Sequence, residues 1–261
     1  MKTSRASITL ITAALLSVAT IPAHAVVLTY FGEDLNNSAV TPLAALPNSS
    51  AAEASFLSNL IGVGTETFES LSGSAPLNLT FPGAGTATLS GGGGSVQTLS
   101  SSSVTNSAGR YGITRDGGTE SYYQVSAGGS GNFTIAFSTA IAAFGFYGID
   151  IGDFGGTMQL QLTGGGNVLL NVPNTVGSGG STDGSVLFYG FISTNPLESV
   201  TSISFLTSTG GGDVFAFDNM TVGSLEQVKP GTGTVPDGGA TIALLGLAFS
   251  GIAGLRRKFG V

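Results

Sequence analysis

The chain lacks cysteine and tryptophan and has a single histidine, His24, among its 261 residues. Without cysteine it has no disulfide, no thiolate nucleophile and no cysteine-ligated zinc or iron–sulfur site. His24 lies in a segment with the pattern of an export signal, so its removal leaves the mature body without imidazole. Ser-His-Asp and Cys-His catalytic groups and histidine-ligated metals are therefore excluded for that body.

Positive charge is also scarce. The sequence has 8 Lys and Arg residues against 15 Asp and Glu residues, so no basic face can neutralise phosphates and we expect no nucleic-acid partner. The segment from Val26 to Asp237 contains all fifteen acids and only three bases, Arg110, Arg115 and Lys229, so its formal charge is −12. Such a surface repels polyanions unless a cation intervenes.

The first 25 residues have the three parts of a signal peptide. The start is basic, with Lys2 and Arg5, and an apolar stretch follows at residues 8–18. Small residues, Ala23 and Ala25, precede the cleavage point. The alternative is a buried N-terminal helix. It is disfavoured because the apolar stretch is too short to span a membrane and its flanks are those of an export signal. The sequence therefore predicts export, with residues 1–25 removed.

The other end of the chain has a tripartite tail. A polar linker at residues 224–234 leads to a short motif, an apolar run at residues 240–255 and a basic cluster. The motif consists of Val235, Pro236, Asp237, Gly238 and Gly239. The basic cluster consists of Arg256, Arg257 and Lys258. Basic residues after an apolar run predict a transmembrane helix with its C-terminus in the cytoplasm and the body outside. A buried core helix is the alternative.

This tail resembles the PEP-CTERM class of bacterial sorting signals, in its VPDSG variant. Four motif residues match that variant, while Gly238 stands where serine is expected. The resemblance implies recognition by an exosortase-type processing enzyme at the membrane. It also implies delivery to the cell surface or to an extracellular polysaccharide matrix, where biofilm proteins are found. It covers about the last 27 residues of the chain.

One helix is expected at the start of the body. Residues 49–61 have a capping-box spacing at Ser50 and Glu53, and a glycine stop follows at Gly62. Four apolar residues fall on one face of this helix: Phe56, Leu57, Leu60 and Ile61. The pattern predicts a short amphipathic helix that packs on the edge of a β core.

The rest of the body has the alternation and glycine punctuation of short β-strands. Strands are predicted at residues 65–69, 77–81, 86–89, 122–125, 132–137, 141–149, 158–162, 168–172, 186–192, 202–205 and 214–222. Glycine clusters, such as residues 91–94 and 164–166, lie between them where turns are expected. The fold class predicted is all-β, a single-domain two-sheet sandwich over residues 26–223 with jelly-roll topology favoured.

Three body segments resemble the opening, middle and closing strands of many PEP-CTERM ectodomains. These segments are residues 65–69, 143–156 and 215–222. The resemblance implies a β-sandwich surface protein, and it supplies no activity.

Calcium is the metal that the remaining chemistry allows, because it takes carboxylate and carbonyl oxygens from acidic loops. If the first and last strands are neighbours, Glu69 and Asp218 could share one ion, and Asp150 and Asp153 form a second candidate loop. The alternatives are that Asp218 caps a strand, that Glu69 faces solvent, and that Asp150 and Asp153 belong to a turn.

Two other activities are considered. Carbohydrate-binding surfaces commonly use exposed aromatic rings, and without tryptophan the rings that could substitute are Tyr111, Tyr122, Tyr123, Tyr147 and Tyr189. The alternative for each is a core ring with its hydroxyl at the rim. At most one of the adjacent Tyr122 and Tyr123 is expected in the core, since they point to opposite faces of a strand. Glycoside hydrolysis would need a carboxylate pair among Asp150, Asp153, Asp213 and Asp218.

The favoured function is a non-catalytic exported surface or matrix protein without an obligatory cofactor. A calcium-assisted carbohydrate-binding module is the alternative, and a glycosidase is a weaker one.

Overall fold

The structure is a computed structural model. It describes residues 27–36, 38–99, 105–106, 108–113, 120–127, 133–151, 156–172, 184–207 and 213–232. The predicted signal peptide with Ala23 and Ala25, the sorting motif, the apolar run and the basic cluster lie outside these ranges. Within the ranges, no helix is long and apolar enough to cross a membrane.

The described chain is built almost wholly from β-strands. One α-helix, α1, spans Pro47–Leu57, and two short 3₁₀ helices span Pro196–Glu198 and Leu225–Gln227. The strands are β1 (Leu28–Asp34), β2 (Gly64–Glu66), β3 (Leu77–Phe81), β4 (Gly85–Ser90), β5 (Ser95–Leu99), β6 (Glu120–Ala127), β7 (Phe133–Ile141), β8 (Ala143–Ile149), β9 (Gly156–Leu162), β10 (Asn167–Asn171), β11 (Val186–Ile192), β12 (Val200–Thr207) and β13 (Asp213–Gly223).

The strands form two antiparallel sheets, as the sequence predicts. The first has the order β1-β11-β8-β13-β6-β5, with β2 also paired to β13, and the second has the order β10-β9-β12-β7-β4-β3. The last eight strands, β6 to β13, lie side by side in the order β11-β8-β13-β6 in the first sheet and β10-β9-β12-β7 in the second. This is the strand order of two Greek keys in an eight-stranded jelly roll. Strands β1 to β5 extend both sheets at their edges.

The two sheets enclose a core of aromatic and aliphatic side chains. Phe217 of β13 lies at its centre, stacked on Phe146 with ring centroids 4.9 Å apart and edge-on to Phe133 at 5.5 Å. Phe133 of β7 and Phe205 of β12 are paired residues of the opposite sheet, and their rings stack at 4.8 Å. Alternation along each strand places these rings inside. We call this region the sandwich core.

A second core lies on the other face of the first sheet. Helix α1 packs across β1, β11 and β8 and buries Ser49, Ala52 and Phe56. The Phe56 ring lies over the paired residues Gly145 and Gly190, where an added Cβ would come within 2.9 Å and 3.1 Å of it. A side chain at Gly145 would force the ring to shift, and one at Gly190 would press against it, so the two glycines let Phe56 lie close to the sheet. We call this region the outer core.

Because of the outer core, the two sheets differ in exposure. The first sheet (β1, β2, β5, β6, β8, β11 and β13) is covered on both faces along its central strands, and every residue of β8 and β11 is buried. We call it the covered sheet. The second sheet (β3, β4, β7, β9, β10 and β12) buries only its inward residues, and we call it the open sheet.

The helix differs from the prediction in its start, its end and its cap. It begins at Pro47, and no side chain of α1 itself caps its N-terminus, so the predicted Ser50–Glu53 capping box is wrong. Asp34 at the end of β1 does this instead: its carboxylate accepts the N–H groups of Asn48 and Ser49 at 3.0 and 2.9 Å. A carboxylate at a helix N-terminus is stabilised by the orphan N–H groups and the helix dipole.

The helix also stops earlier than predicted, at Leu57. Leu60 lies beyond it in an isolated bridge to Val228, and Ile61 is 55% exposed. The predicted apolar face therefore does not exist as a helical stripe. The other buried residues of α1, Ser49 and Ala52, have small side chains, which lets the helix lie close to the sheet.

The folded body continues past the predicted boundary at Gly223. Gln227 accepts the Ile61 N–H at 2.8 Å, and Lys229 donates its N–H to the Asn59 carbonyl at 2.8 Å. These bonds flank the Leu60–Val228 bridge and tie the chain to the turn after α1. We call residues 224–232 the C-terminal strap; they were predicted as the first part of a linker, and the structure shows them packed.

Candidate functional site

Asp218, a predicted calcium ligand, is fully buried in the middle of β13. Its two carboxylate oxygens accept the N–H of Ile113 at 2.6 Å and the N–H of Asn219 at 2.7 Å. Asn219 has a positive φ of 45°, and the register of β13 against β8 shifts between Asp218 and Thr221. The side chain thus stabilises a bulge and holds the backbone at Ile113 against the sheet.

Asp150, the second candidate, forms an ion pair. Its Oδ2 lies 2.9 Å from Nη1 of Arg110, and both side chains are mostly buried. The same Arg110 nitrogen donates to the Val214 carbonyl at 2.8 Å, and Nε donates to Gln124 at 3.3 Å. Asp150 itself has a positive φ of 60° directly after β8. The pair therefore joins the ends of β8 and β13 to the segment around residue 110.

Glu69 follows β2, which pairs with β13 as the calcium hypothesis assumed. Its Oε1 accepts the N–H of Ser121 on β6 at 2.9 Å. Glu69 and Asp218 thus bind backbone N–H groups at Ser121 and Ile113, on either side of residues 114–119, which lie outside the description. Each carboxylate therefore binds a backbone group in the described chain, one at Ser121 and one at Ile113.

Two further acids of the covered sheet also bind backbone N–H groups. Asp34 binds two at the start of α1, and Glu66 accepts the Phe68 N–H at 2.8 Å. Phe68 is buried at a positive φ of 60°, so this bond holds an unfavourable backbone conformation. These acids organise the loops that join the strands.

For calcium, the described ranges contain no group of three or more acidic or histidine side chains able to hold a metal ion. Asp153 and the side chain of Asp213 lie outside them. The calcium hypothesis for Glu69, Asp150, Asp153 and Asp218 stays a prediction. The glycosidase hypothesis gains no support, because Asp218 is fully buried and Asp150 is paired with Arg110.

The five candidate sugar-binding tyrosines are all buried, each 3% exposed or less. Tyr123 lies in the sandwich core and Tyr122 in the outer core, so the expectation that at most one of them is a core residue is wrong. Both faces of β6 are covered, and alternation therefore sends each ring into a different core. Burial raises the pKa of Tyr122 and of Tyr123 to about 12.

Sequence reasoning missed the strap contacts that hold the chain next to its tail. Gln227 donates through Nε2 to the carbonyls of Gly62 at 2.6 Å and Pro82 at 3.0 Å. It also closes a capping box with Ser224. The Lys229 ammonium donates to the Ser58 carbonyl at the C-terminal end of α1, where the helix dipole favours a cation.

The architecture defines the described body as a jelly-roll-type β-sandwich with a packed C-terminal strap. Immediately after the strap, residues 234–259 match the family model described as the VPDSG-CTERM motif. The chain therefore carries a PEP-CTERM-type sorting signal, which indicates an exported protein associated with the cell surface.

The other comparisons add little. No curated protein matches the chain. Among solved structures, it is similar to the K2 cleaved adhesin domain of Lys-gingipain (Kgp), with 12% identity and a TM-score of 0.30 over 61% of this chain and 97% of that one.

Proposed function

We propose that the protein is a non-catalytic component of the bacterial surface or extracellular matrix, placed there by its C-terminal signal. The observation that carries the proposal is the sorting motif at residues 234–259, two positions after the last described residue, Thr232. A β-sandwich body and a sorting tail thus follow each other with almost no spacer.

The chemistry of the body supports a role without catalysis. Asp34, Glu66 and Asp218 of the covered sheet bind backbone N–H groups. Asp150 pairs with Arg110, and the five candidate tyrosines are buried. The side chains that a polar active site would use therefore stabilise loops and cores. This distribution favours a scaffold whose location is its main property.

The proposed partner of the tail is an exosortase-type enzyme at the membrane, since PEP-CTERM-type signals are processed by such enzymes. The apolar run at residues 240–255 would insert as the transmembrane helix, and Arg256, Arg257 and Lys258 would stay in the cytoplasm. Residues 1–25 would be removed after export at the site defined by Ala23 and Ala25.

The test compares the full chain with a variant that ends at residue 234, both expressed in a bacterium that has an exosortase. We expect the full chain at the cell surface, degraded by protease added to intact cells. The truncated chain should be released into the medium instead. Cell fractionation and immunoblotting measure both outcomes.

A control keeps the tail and changes only its charge, with Arg256, Arg257 and Lys258 replaced by Gln. This variant should lose its orientation or its retention while the body stays folded. A Gly238→Ser variant should be processed at least as well as the natural sequence. Identical locations for the full and the truncated chain would contradict the proposal.

The calcium-assisted carbohydrate-binding module is the second hypothesis from the sequence. It predicts that saturable polysaccharide binding disappears when a chelator is added. Loss of binding in the variant Asp153→Asn, with Asp150→Asn beside it, would support it. No contact among the described residues favours it over the surface-component role.

A further inference from the structure

The open sheet contains no charged residue. None of its six strands, β3, β4, β7, β9, β10 and β12, carries Asp, Glu, Lys or Arg. The covered sheet, in contrast, has acids in β1, β2, β6 and β13. Charged residues make up only 9% of the chain, and their absence from these six strands leaves hydroxyl and amide groups as the polar side chains of the outward sheet surface.

Strand register arranges the outward residues of this sheet in rows. One row crosses all six strands in the order Asn78, Thr88, Ala136, Ser202, Gln161 and Asn167. A second crosses five strands in the order Ser90, Thr134, Ser204, Gln159 and Leu169. We call the surface formed by these two rows the open face.

The open face consists mainly of hydroxyl and amide groups. They pair along the rows: Thr88 Oγ1 donates to Asn78 at 2.8 Å, and Thr134 and Ser204 share a hydrogen bond at 3.3 Å. Hydroxyls and side-chain amides both donate and accept hydrogen bonds. A ligand that matches this surface must also offer donors and acceptors, without net charge.

The dimensions of the open face decide between a second copy and a linear polymer. Strands are spaced by about 4.8 Å and the two rows by about 7 Å, so the open face covers roughly 25 by 14 Å. That is roughly 350 Å², below the roughly 800 Å² per partner of a stable protein interface. The face also lacks the buried aromatic or arginine anchors that dominate protein interfaces.

We propose that the open face binds a neutral polysaccharide, laid along the rows and held by hydrogen bonds rather than by ring stacking, since the five candidate tyrosines are buried. Sugar hydroxyls both donate and accept hydrogen bonds, and a chain contacts a narrow strip without needing a large interface. Many weak contacts along a polymer add up through effective concentration. A polyanion is repelled by the remaining acids, so uncharged glycans are selected. This inference does not depend on how the tail is processed.

The experiment measures retention of the full-length chain, in mild detergent and EDTA, on four neutral glycans: cellulose, amylose, dextran and mannan. Alginate, a polyuronate, is the charged control. We expect saturable binding to at least one neutral glycan and none to alginate. EDTA keeps this binding separate from the calcium-assisted hypothesis.

Charge placed on the open face should abolish that binding. The double variant Gln159→Glu with Gln161→Glu keeps side-chain size and adds two charges; we expect at least a tenfold loss of affinity. The matched control, Gln97→Glu with Ser55→Glu, adds the same charge on the covered sheet and α1, and should bind like the natural chain.

Three results would overturn the proposal. No retention on any of the four glycans is one, and equal losses in the two double variants is another. The third is light scattering that shows self-association in the natural chain and its loss in the Gln159/Gln161 variant, because the open face would then join two copies. Circular dichroism checks that both variants keep their β structure.

Discussion

The two sheets of the sandwich share a core but place polar residues in opposite ways. The covered sheet buries charged residues such as Asp34 and Asp218 and uses each to bind backbone N–H groups. The open sheet excludes charge and exposes hydroxyls and amides. A buried carboxylate is tolerated only with hydrogen-bond partners. In the described strands, buried carboxylates such as those of Asp34 and Asp218 organise loops, while the open sheet meets the solvent with uncharged polar groups.

The largest expected effect comes from the same substitution made on the outer side of each sheet. Ala216 of β13 is fully buried in the outer core, and Ala136 of β7 is exposed in the middle of the open face. Ala216→Glu should lower the free energy of unfolding by about 4 kcal/mol or more, since it buries an unpaired charge. Ala136→Glu should change it by less than about 0.5 kcal/mol. Urea unfolding of both variants measures the difference.

Similar losses in these two alanine variants would mean that the open sheet is covered as well. The open face would then be part of an interior, and the contrast between the sheets would fail.

A smaller effect is expected where the covered sheet holds its ion pair. Arg110→Met leaves the Asp150 carboxylate buried without its partner and removes the donor to the Val214 carbonyl. We expect a loss of about 2–4 kcal/mol, measured by chemical denaturation. The double variant with Asp150→Asn should recover much of it, because no uncompensated charge remains. A double variant as unstable as Arg110→Met would contradict this assignment.

The smallest effect is expected at the contact between α1 and the covered sheet, where Tyr147 donates to the Glu53 carboxylate at 2.7 Å. Burial raises the pKa of Glu53, and the Tyr147 hydrogen bond partly lowers that pKa again. Tyr147→Phe removes the lowering contact, so the folded-state pKa of Glu53 should rise further. A raised carboxyl pKa gives stability that is present below the unfolded pKa and lost as pH rises through the folded pKa.

The Tyr147→Phe variant should therefore lose about 1–2 kcal/mol at pH 7 and less near pH 4. Urea unfolding at both pH values measures this, with Glu53→Gln as the control, in which Tyr147→Phe should cost the same at each pH. Equal losses at pH 7 and pH 4 in the natural background would refute the role of Glu53 ionisation.

Much of the fold was predictable because period-two alternation is a strong local signal. Eleven of the thirteen strands overlap predicted ones, and the two-sheet arrangement follows from their number and spacing. Strand β1 was missed because Gly32 and the acids Glu33 and Asp34 break its pattern. Strand β5 was missed because its two apolar residues, Val96 and Leu99, are three positions apart and give no period-two alternation.

The roles of the acids and tyrosines were not predictable from spacing. The partners of Asp150 and Asp218 are Arg110 and Ile113, forty and 105 positions away in the chain. The outer core was missed for the same reason: its cover comes from α1 and from the segment around Tyr111, which contact the sheet only in the folded chain. The cap of α1 by Asp34 likewise joins two elements that a local capping rule treats separately.

The C-terminal strap also has a mechanical consequence. A chain held at its tail in a flowing matrix is pulled from residue 232, and that load meets the strap before it reaches β13. The Gln227–Ile61 and Lys229–Asn59 bonds and the Gln227 side-chain contacts would have to break first. Their rupture would lengthen the tether by several residues while the central strand of the covered sheet stays paired, so the strap would act as an extensible link between the anchor and the sandwich.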